Sequence, residues 1–143
     1  MNAISHDELI ASAQAVLHPR LINGYRPGGR GWRIGHVAST LVTSNGNRYS
    51  GVSIDTGSGV GFCAEHAAIA AMVTAREYAI ATIVAVWRSD EGLLHVLPPC
   101  GRCREFIRQI DPANLDTEVV LGRATSALLR ELLPYHEWPR PLD

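Results

Sequence analysis

The chain has 143 residues, of which 46% are hydrophobic and 19% are charged, and its formal net charge at pH 7 is −1. This composition is typical of a globular protein, and the near-zero charge disfavours a nucleic-acid partner. No run of about 18 apolar residues is present, so we expect no membrane-spanning helix. The N-terminus lacks the basic and apolar regions of a signal peptide, so we expect one cytoplasmic domain over residues 1–143.

The first half of the chain predicts a helix, a loop and a β-hairpin. A capping-box pattern that starts at Ser5 precedes helically spaced apolar residues, and Pro19 ends this helix. Residues 21–31 contain four glycines and a proline, which predict a loop. Two strands are expected at 36–43 and 48–54, because an Asn-Gly pair between apolar runs is a strong hairpin signal.

The second half of the chain alternates helices and strands. Helices are predicted at 64–77, 101–110 and 126–133, and strands at 79–87, 93–97 and 117–121. Trp87 and Phe106 are expected in the core. Strands that alternate with helices after an opening hairpin favour an α/β fold with a mixed sheet between helices.

All three cysteines lie in two short segments. Cys63 begins a Cys-Ala-Glu segment, and Cys100 and Cys103 lie in Pro-Cys-Gly-Arg-Cys. An odd number of cysteines suits a metal site in a reducing compartment better than a disulfide framework. A catalytic Zn²⁺ ion has three protein ligands and one position open to water. Glu65 would face this open position and move protons instead of binding the metal.

These two motifs resemble those of the cytidine deaminase family, in its small, three-cysteine branch. The likeness extends from about residue 37 to the C-terminus. It implies a three-layer α/β/α fold with a mixed five-stranded sheet, a homotetramer, and a Zn²⁺ ion held by Cys63, Cys100 and Cys103. It also implies hydrolytic deamination of cytidine or deoxycytidine, with Glu65 as the catalytic acid and base.

The charge at such a metal site needs compensation, since three thiolates on one Zn²⁺ leave a net charge of −1. Cys63 and Cys100 start predicted helices, whose N-termini each carry roughly half a positive charge. In the family, an arginine directly after Cys-Ala-Glu hydrogen-bonds the ligand sulfurs. His66 takes that place here and could replace the arginine only when protonated. Arg104 matches a second family arginine and is the other candidate for this supporting role.

The residues expected to contact the substrate depart from the family pattern. The family's Gly-Cys-Asn-x-Glu-Asn strand holds the ribose, and here Ser53 stands at the asparagine position and Asp55 at the glutamate position. Both are polar but differ in reach, so substrate preference can shift. Ala64 is expected beside the substrate. The family's aromatic wall is replaced by Gly35, for which Trp32 is a possible substitute.

The C-terminal segment resembles the family's Glu-Leu-Leu-Pro tail, in which an aromatic residue reaches a neighbouring subunit's active site. Glu137 stands at the position of that aromatic residue, with Tyr135, His136 and Trp138 around it. Trp138 is the expected cap over the substrate. An ordinary exposed tail is the alternative.

The sequence leaves other functions open. Departures at the sugar and ring contacts suit a cytosine-containing antibiotic such as blasticidin S, or another aminoheterocycle. A structural zinc site with His66 or His95 as fourth ligand would leave Glu65 unexplained. A nucleoside-binding protein without catalysis would not need the intact metal motifs. Editing of a polynucleotide is disfavoured by the charge balance.

Overall fold

The computed structural model describes residues 3–22 and 31–143. The α-helices of this part are α1 (His6–Val16), α2 (Ala64–Thr74), α3 (Gly101–Ile110) and α4 (Leu129–Leu132). Its strands are β1 (Arg20–Ile22), β2 (Trp32–Thr43), β3 (Arg48–Asp55), β4 (Ile80–Arg88), β5 (Leu94–Leu97), β6 (Glu118–Gly122) and β7 (Thr125–Leu128). None of the described helices is long and apolar enough to cross a membrane.

The seven strands form one mixed sheet that is five strands wide. β2 pairs with β3 on one side, and with β1 and then β4 on the other side. β4 pairs on its far side with β5 and with β6, and β7 follows β6. The β4–β6 pairing is parallel, and the other pairings of the described strands are antiparallel. The expected number of five strands is therefore corrected to seven, because two positions in the sheet each hold two strands: β1 and β4 share one, and β5 and β6 share the other.

Two predicted segments differ from the structure. Residues 21–31 were expected to form a loop, but Leu21 and Ile22 belong to β1, which pairs with the start of β2; residues 23–30 lie outside the described part. Residues 126–128 belong to β7 and not to a helix. They pair with β6, and Ser126 Oγ donates a hydrogen bond to Glu118. Pairing across this short hairpin outweighs a weak helix preference.

Helices cover both faces of the sheet, which confirms the three-layer α/β/α arrangement. Adjacent residues of a strand point to opposite faces, so Leu41 and Val42 of β2 enter different clusters. One face packs against α1 through Leu9, Ile10 and Ala13. The other face packs against α2, α3 and α4 through Ala68, Ile69, Met72, Ile107 and Leu129.

A glycine brings α2 close to the sheet. A Cβ atom built on Gly51 of β3 would lie 2.4 Å from the backbone nitrogen of Ala68, so a side chain cannot fit there. The alanine-rich sequence of α2 supplies the matching small side chains. This contact fixes the start of α2, and with it the Cys-Ala-Glu segment, directly above the sheet.

Candidate active site

The three cysteines meet at the starts of two helices. Their Sγ atoms lie within 4.8 Å of one another, with 3.7 Å between Cys63 and Cys100 and 3.5 Å between Cys100 and Cys103. Three sulfurs bound tetrahedrally to Zn²⁺ at about 2.3 Å would lie about 3.8 Å apart. All three cysteines are free of disulfide bonds. The donor set and its spacing therefore fit a zinc ion.

Local backbone conformation explains this convergence. Cys63 is the N-cap residue of α2 and Cys100 is the N-cap residue of α3, both with extended φ and ψ angles. Cys103 lies buried in the first turn of α3. The sulfurs thus sit at the positive ends of two helix dipoles, as the sequence predicted.

The thiols need a cation to ionise together. Burial raises the pKa of Cys63 and, more strongly, that of Cys103. At Cys100, burial acts in the same direction, but hydrogen bonds from Cys103 and Cys63 outweigh it and keep its pKa below the ordinary value. A bound metal ion supplies the charge that stabilises such clustered thiolates.

Glu65 is the buried carboxyl group next to these thiols. It lies in the first turn of α2 and is only 5% exposed. Burial raises its pKa, while a backbone N–H of its helix and the Cys103 thiol act in the opposite direction. A carboxyl group with a raised pKa is suited to accept and return a proton near neutral pH.

A cavity of about 500 Å³ opens beside Glu65 and the cysteines. Its walls come from β2, β3, the segment before α2, β4, β5 and the start of α3: Arg33, His36, Val37, Ser53, Ile54, Asp55, Thr56, Gly59, Gly61, Phe62, Cys63, Ala64, Glu65, Trp87, Leu97, Pro98, Cys100 and Arg102. The size is within the usual range for small-molecule sites. Reactive groups therefore line a ligand-sized cavity.

Three of the predicted substrate contacts line this cavity. Ser53 Oγ accepts a hydrogen bond of 3.1 Å from the backbone N–H of Val37. Asp55 ends β3 and lies opposite Arg33 in the strand register. Ala64 is fully buried between Cys63 and Glu65.

Two of the three tryptophans, Trp32 and Trp87, are arranged differently from the prediction. Trp32 packs over Gly57, since a Cβ atom built on Gly57 would lie 2.6 Å from the Trp32 ring. Trp32 does not line the cavity. Trp87 does line the cavity, so its assignment to the core is corrected. Its register pairing with Val37 puts both side chains on the same sheet face, a signal that sequence reasoning did not use. Trp138 is 84% exposed and contributes to a separate surface pocket of the same chain.

The two predicted supporting residues do not contact the sulfurs through hydrogen bonds within the described part of the chain. His66 stacks on Phe106 with a centroid distance of 4.2 Å, and its Nε2 atom is buried without a partner there. Burial, and then the charge of Arg102, lower the pKa of His66, so the neutral form is favoured and the protonated role is not. Arg104 donates hydrogen bonds to the carbonyl oxygens of Pro99 and Leu132, which tie the cysteine loop to α4.

Neither candidate for a fourth ligand joins the metal cluster in residues 3–22 and 31–143. The cluster there comprises Cys63, Cys100 and Cys103. His95 instead packs against Trp87, with 5.0 Å between the ring centroids. This arrangement favours a catalytic site over a structural one with four protein ligands.

A comparison with protein families decides the identity of the metal site. Residues 33–118 match the cytidine and deoxycytidylate deaminase zinc-binding region. The chain belongs to this deaminase family. The match spans the cysteine motifs and the cavity, so the protein is a zinc-dependent deaminase, that is, a hydrolase.

Individual members of the family agree with this assignment. A blasticidin-S deaminase from Bacillus cereus is 35% identical over 104 residues, which cover 69% of this chain and 74% of the relative. The crystal structure of a cytidine deaminase from Mycobacterium leprae is 21% identical with a TM-score of 0.70, and covers 92% of this chain and 99% of that chain. The crystal structure of a cytidine deaminase from Burkholderia pseudomallei is 25% identical with a TM-score of 0.69, and the match covers 92% of this chain and 98% of that chain. The fold of the family is thereby confirmed.

Proposed function

We propose that this protein converts cytidine or deoxycytidine, with water, to uridine or deoxyuridine and ammonia. The observation that carries the proposal is that buried Glu65 lines the same ligand-sized cavity as Cys63 and Cys100 of the three-thiol cluster. The similarity to cytidine deaminases and to a blasticidin-S deaminase supports a cytosine ring as the reacting group.

Cys63, Cys100 and Cys103 would hold the zinc ion. When bound, Zn²⁺ lowers the pKa of water from 15.7 to about 7 and so supplies a nucleophile at neutral pH. Both helix N-termini at the cluster offset part of the negative charge of the thiolates. Arg104 holds the loop before Cys100 in place through the Pro99 carbonyl.

Glu65 would move the protons of the reaction. Its carboxylate takes a proton from the attacking water and gives it to the ring nitrogen beside the amino-bearing carbon. It then takes the remaining proton from the added oxygen and gives it to the amine, so that the carbon–nitrogen bond breaks, ammonia leaves and the ring keeps the oxygen as a carbonyl. Burial of Glu65 excludes bulk water from these transfers.

The sugar would lie at the β3 side of the cavity. Ser53 and Asp55 both line this side. The Asp55 carboxylate has no hydrogen-bond partner within residues 3–22 and 31–143, so it would accept a hydrogen bond from a hydroxyl group of the sugar. Ala64 would lie against the ring, because it is fully buried and lines the cavity together with Cys63 and Glu65. Trp87 would supply the apolar wall that Gly35 lacks.

The experiment that tests the proposal is ammonia release from cytidine, deoxycytidine, cytosine and blasticidin S by the zinc-loaded protein. Glu65→Gln should keep zinc and lose about 10²–10⁴-fold in kcat. Glu91→Gln, in an exposed turn, is the matched control and should keep wild-type activity. Turnover of none of the four compounds, or substantial activity in Glu65→Gln with zinc bound, would refute the proposal.

Blasticidin S is the second candidate substrate. The relative from Bacillus cereus, at 35% identity, carries that activity in its name. The altered sugar contacts, Ser53 and Asp55, suit a substrate whose sugar differs from ribose. A higher kcat/KM for blasticidin S than for cytidine in the same assay would identify blasticidin S as the preferred substrate.

We further propose a homotetramer in which the C-terminal segment covers a neighbouring site. Tyr135, Trp138 and Leu142 are large apolar residues that lie exposed in the single chain. Burial of these side chains between copies would remove this exposed surface from water. Light scattering tests the mass, and Trp138→Ala should raise KM if Trp138 reaches the substrate. A monomer in solution would contradict the proposal.

A further inference from the structure

A tryptophan outside the cavity packs on a loop that forms part of the cavity wall. The ring of Trp32 lies against Gly57, since a Cβ atom built on Gly57 would lie 2.6 Å from Cη2 and 3.0 Å from Cζ3 of this ring. Neither of these two residues lines the cavity. Thr56 and Gly59, one residue before and two residues after Gly57, do line it. The ring therefore contacts this loop from outside the cavity.

Backbone contacts fix both ends of this loop, which comprises residues 56–61. The Ile54 N–H donates a hydrogen bond of 3.0 Å to the Phe62 carbonyl oxygen, and the Phe62 N–H donates one of 2.8 Å to the Ile54 carbonyl oxygen. A Cβ atom built on Gly61 would lie 2.1 Å from the same Ile54 oxygen, so only glycine fits there. The loop begins directly after β3, and Phe62 and the Cys-Ala-Glu segment follow it.

The middle of the loop makes few contacts with the described residues. Ser58 and Gly59 have positive φ angles of +60° and +66°. Within residues 3–22 and 31–143, the Thr56 side chain makes no capping hydrogen bond to the short turn that follows it. A Cβ atom built on Gly59 would meet nothing within 4 Å, and Val60 is 74% exposed. Since ordering a glycine-rich segment costs conformational entropy, we expect the tryptophan ring to limit the motion of this loop.

The glycine at position 57 is required by the ring and not by the backbone. The φ angle of Gly57 is not positive, in contrast to that of Gly59. The three atoms nearest to a Cβ atom built on Gly57 all belong to Trp32. An alanine at position 57 would therefore be hindered by one side chain, and removal of that side chain would make room for it.

We propose that Trp32 is a positioning residue of the active site, which holds loop 56–61 in the cavity wall through Gly57 and thereby raises the affinity for the sugar part of the substrate. This inference rests on the proposed function, which places the sugar at the β3 side of the cavity. Asp55 ends β3 and Thr56 begins the loop, so the position of the loop sets the position of both side chains. A loop that is ordered before binding increases affinity, because less conformational entropy is lost when the ligand binds.

The first experiment compares ligands with and without a sugar, in the absence of turnover. Zinc-loaded Glu65→Gln, with and without Trp32→Ala, is titrated calorimetrically with cytidine, blasticidin S and cytosine. Trp32→Ala should weaken the binding of the tighter sugar-bearing ligand about tenfold and that of cytosine less than about twofold. Trp32→Phe keeps an aromatic ring and should recover part of the affinity. An equal loss for cytosine, or no loss for the sugar-bearing ligands, would overturn the inference.

The second experiment tests whether Trp32 acts through Gly57. Gly57→Ala displaces the loop from the ring and should also weaken the binding of the sugar-bearing ligand. In the double variant the alanine has room, so the loss should stay close to that of Trp32→Ala alone. Gly122→Ala is the matched control, since a Cβ atom there meets only Thr125, at 3.8 Å, outside the cavity, and it should keep the affinity. Additive losses from the two single changes would overturn the inference.

The third measurement follows the loop itself without a ligand. The amide hydrogens of Ile54 and Phe62 form the two hydrogen bonds that close the loop, so their exchange with solvent reports its opening. Trp32→Ala should speed this exchange about tenfold, while the amides of α2 keep their wild-type rates. Exchange that stays unchanged at both amides would contradict a positioning role of the ring.

The outcome is separable from that of the proposed function. If the protein binds and deaminates none of the ligands but Trp32→Ala speeds the exchange, the proposed function fails and the positioning of the loop stands. If it deaminates cytidine and Trp32→Ala changes neither affinity nor exchange, the positioning role fails and the proposed function stands. Metal analysis and circular dichroism spectra confirm that each variant holds zinc and is folded.

Discussion

The residues that line the cavity form two groups that are built in different ways: the thiols and Glu65, called here the inner end, and the strand residues, called here the outer end. At the inner end, the thiols and Glu65 sit on the first turns of α2 and α3, in motifs that keep the spacing of the deaminase family. At the outer end, the side chains come from β2, β3 and β4. Ser53 and Asp55 line the cavity as predicted but differ in identity from the family pattern, and Trp87 lies at the cavity instead of in the predicted core. Under the proposed function, the reaction chemistry and the choice of substrate therefore depend on separate sets of residues.

This difference has a physical basis. A residue at a helix start has its direction fixed by the helix, so the inner end tolerates few changes. A strand residue can be exchanged, or re-aimed by a bulge, without loss of the sheet hydrogen bonds around it. The outer end can therefore vary between relatives that share one reaction.

The largest effect is expected at the inner end. Cys103→Ser removes a buried sulfur from the cluster, and we expect the purified protein to lose zinc and its activity to fall below detection. Metal analysis and the ammonia assay measure both. Treatment of the wild-type protein with a chelator, followed by addition of zinc, is the control and should restore activity. Full zinc content in the variant would contradict the role of Cys103.

A smaller effect is expected at the wall of the cavity. Trp87→Ala removes an aromatic side chain that lines the cavity and packs on His95, and we expect about a tenfold lower kcat/KM, mainly through KM. Trp87→Phe keeps an aromatic ring and should recover most of the activity. If both variants match the wild-type protein, Trp87 is not part of the substrate wall.

The outer end is expected to change selectivity more than rate. The double change Ser53→Asn and Asp55→Glu introduces the side chains of the family's ribose-binding strand. We expect the ratio of kcat/KM for cytidine to that for blasticidin S to rise several-fold, since the reach to the ribose hydroxyl is restored. Rates with both substrates give the ratio. A ratio that falls would mean that these positions do not face the sugar.

The smallest effect on activity is expected outside the cavity, at Glu77. This carboxylate accepts hydrogen bonds from Thr43, Asn45, Asn47 and Tyr49 and so fixes the β2–β3 hairpin. The hydrogen bond from Tyr49, followed by that from Thr43, lowers its pKa from 4.5 to about 2. Glu77→Gln should lower the Tm by a few degrees and leave kcat/KM within about twofold.

The stabilising effect of Glu77 depends on pH in a direction that follows from its lowered pKa. Because the pKa of Glu77 is lower in the folded protein, its ionised form stabilises the fold above about pH 4.5. This contribution is lost as the pH falls towards 2. The Tm difference between wild-type protein and Glu77→Gln should therefore shrink over this interval. A constant difference would show that the carboxylate charge is not the cause.

The sequence by itself determined the fold class, the metal cluster and the position of Glu65. These features depend on short-range relations, since Cys63 and Glu65 lie within one turn of a helix start, and Cys100 and Cys103 within another. Helix geometry places such neighbours in the same way in any surroundings. The alternation of helices and strands likewise predicted a mixed sheet between helices.

Only the tertiary structure decided which strand residues reach the cavity. The bulge at Gly35 places His36 in the cavity wall, and the β2–β4 register places Trp87 there. Trp32 packs over Gly57 instead, so its ring stays outside the cavity. One shift in register exchanges the two faces of a strand, and nothing local in the sequence encodes that shift. For the same reason β1 and β7 were not foreseen, because each forms only against a partner strand that the rest of the fold holds in place.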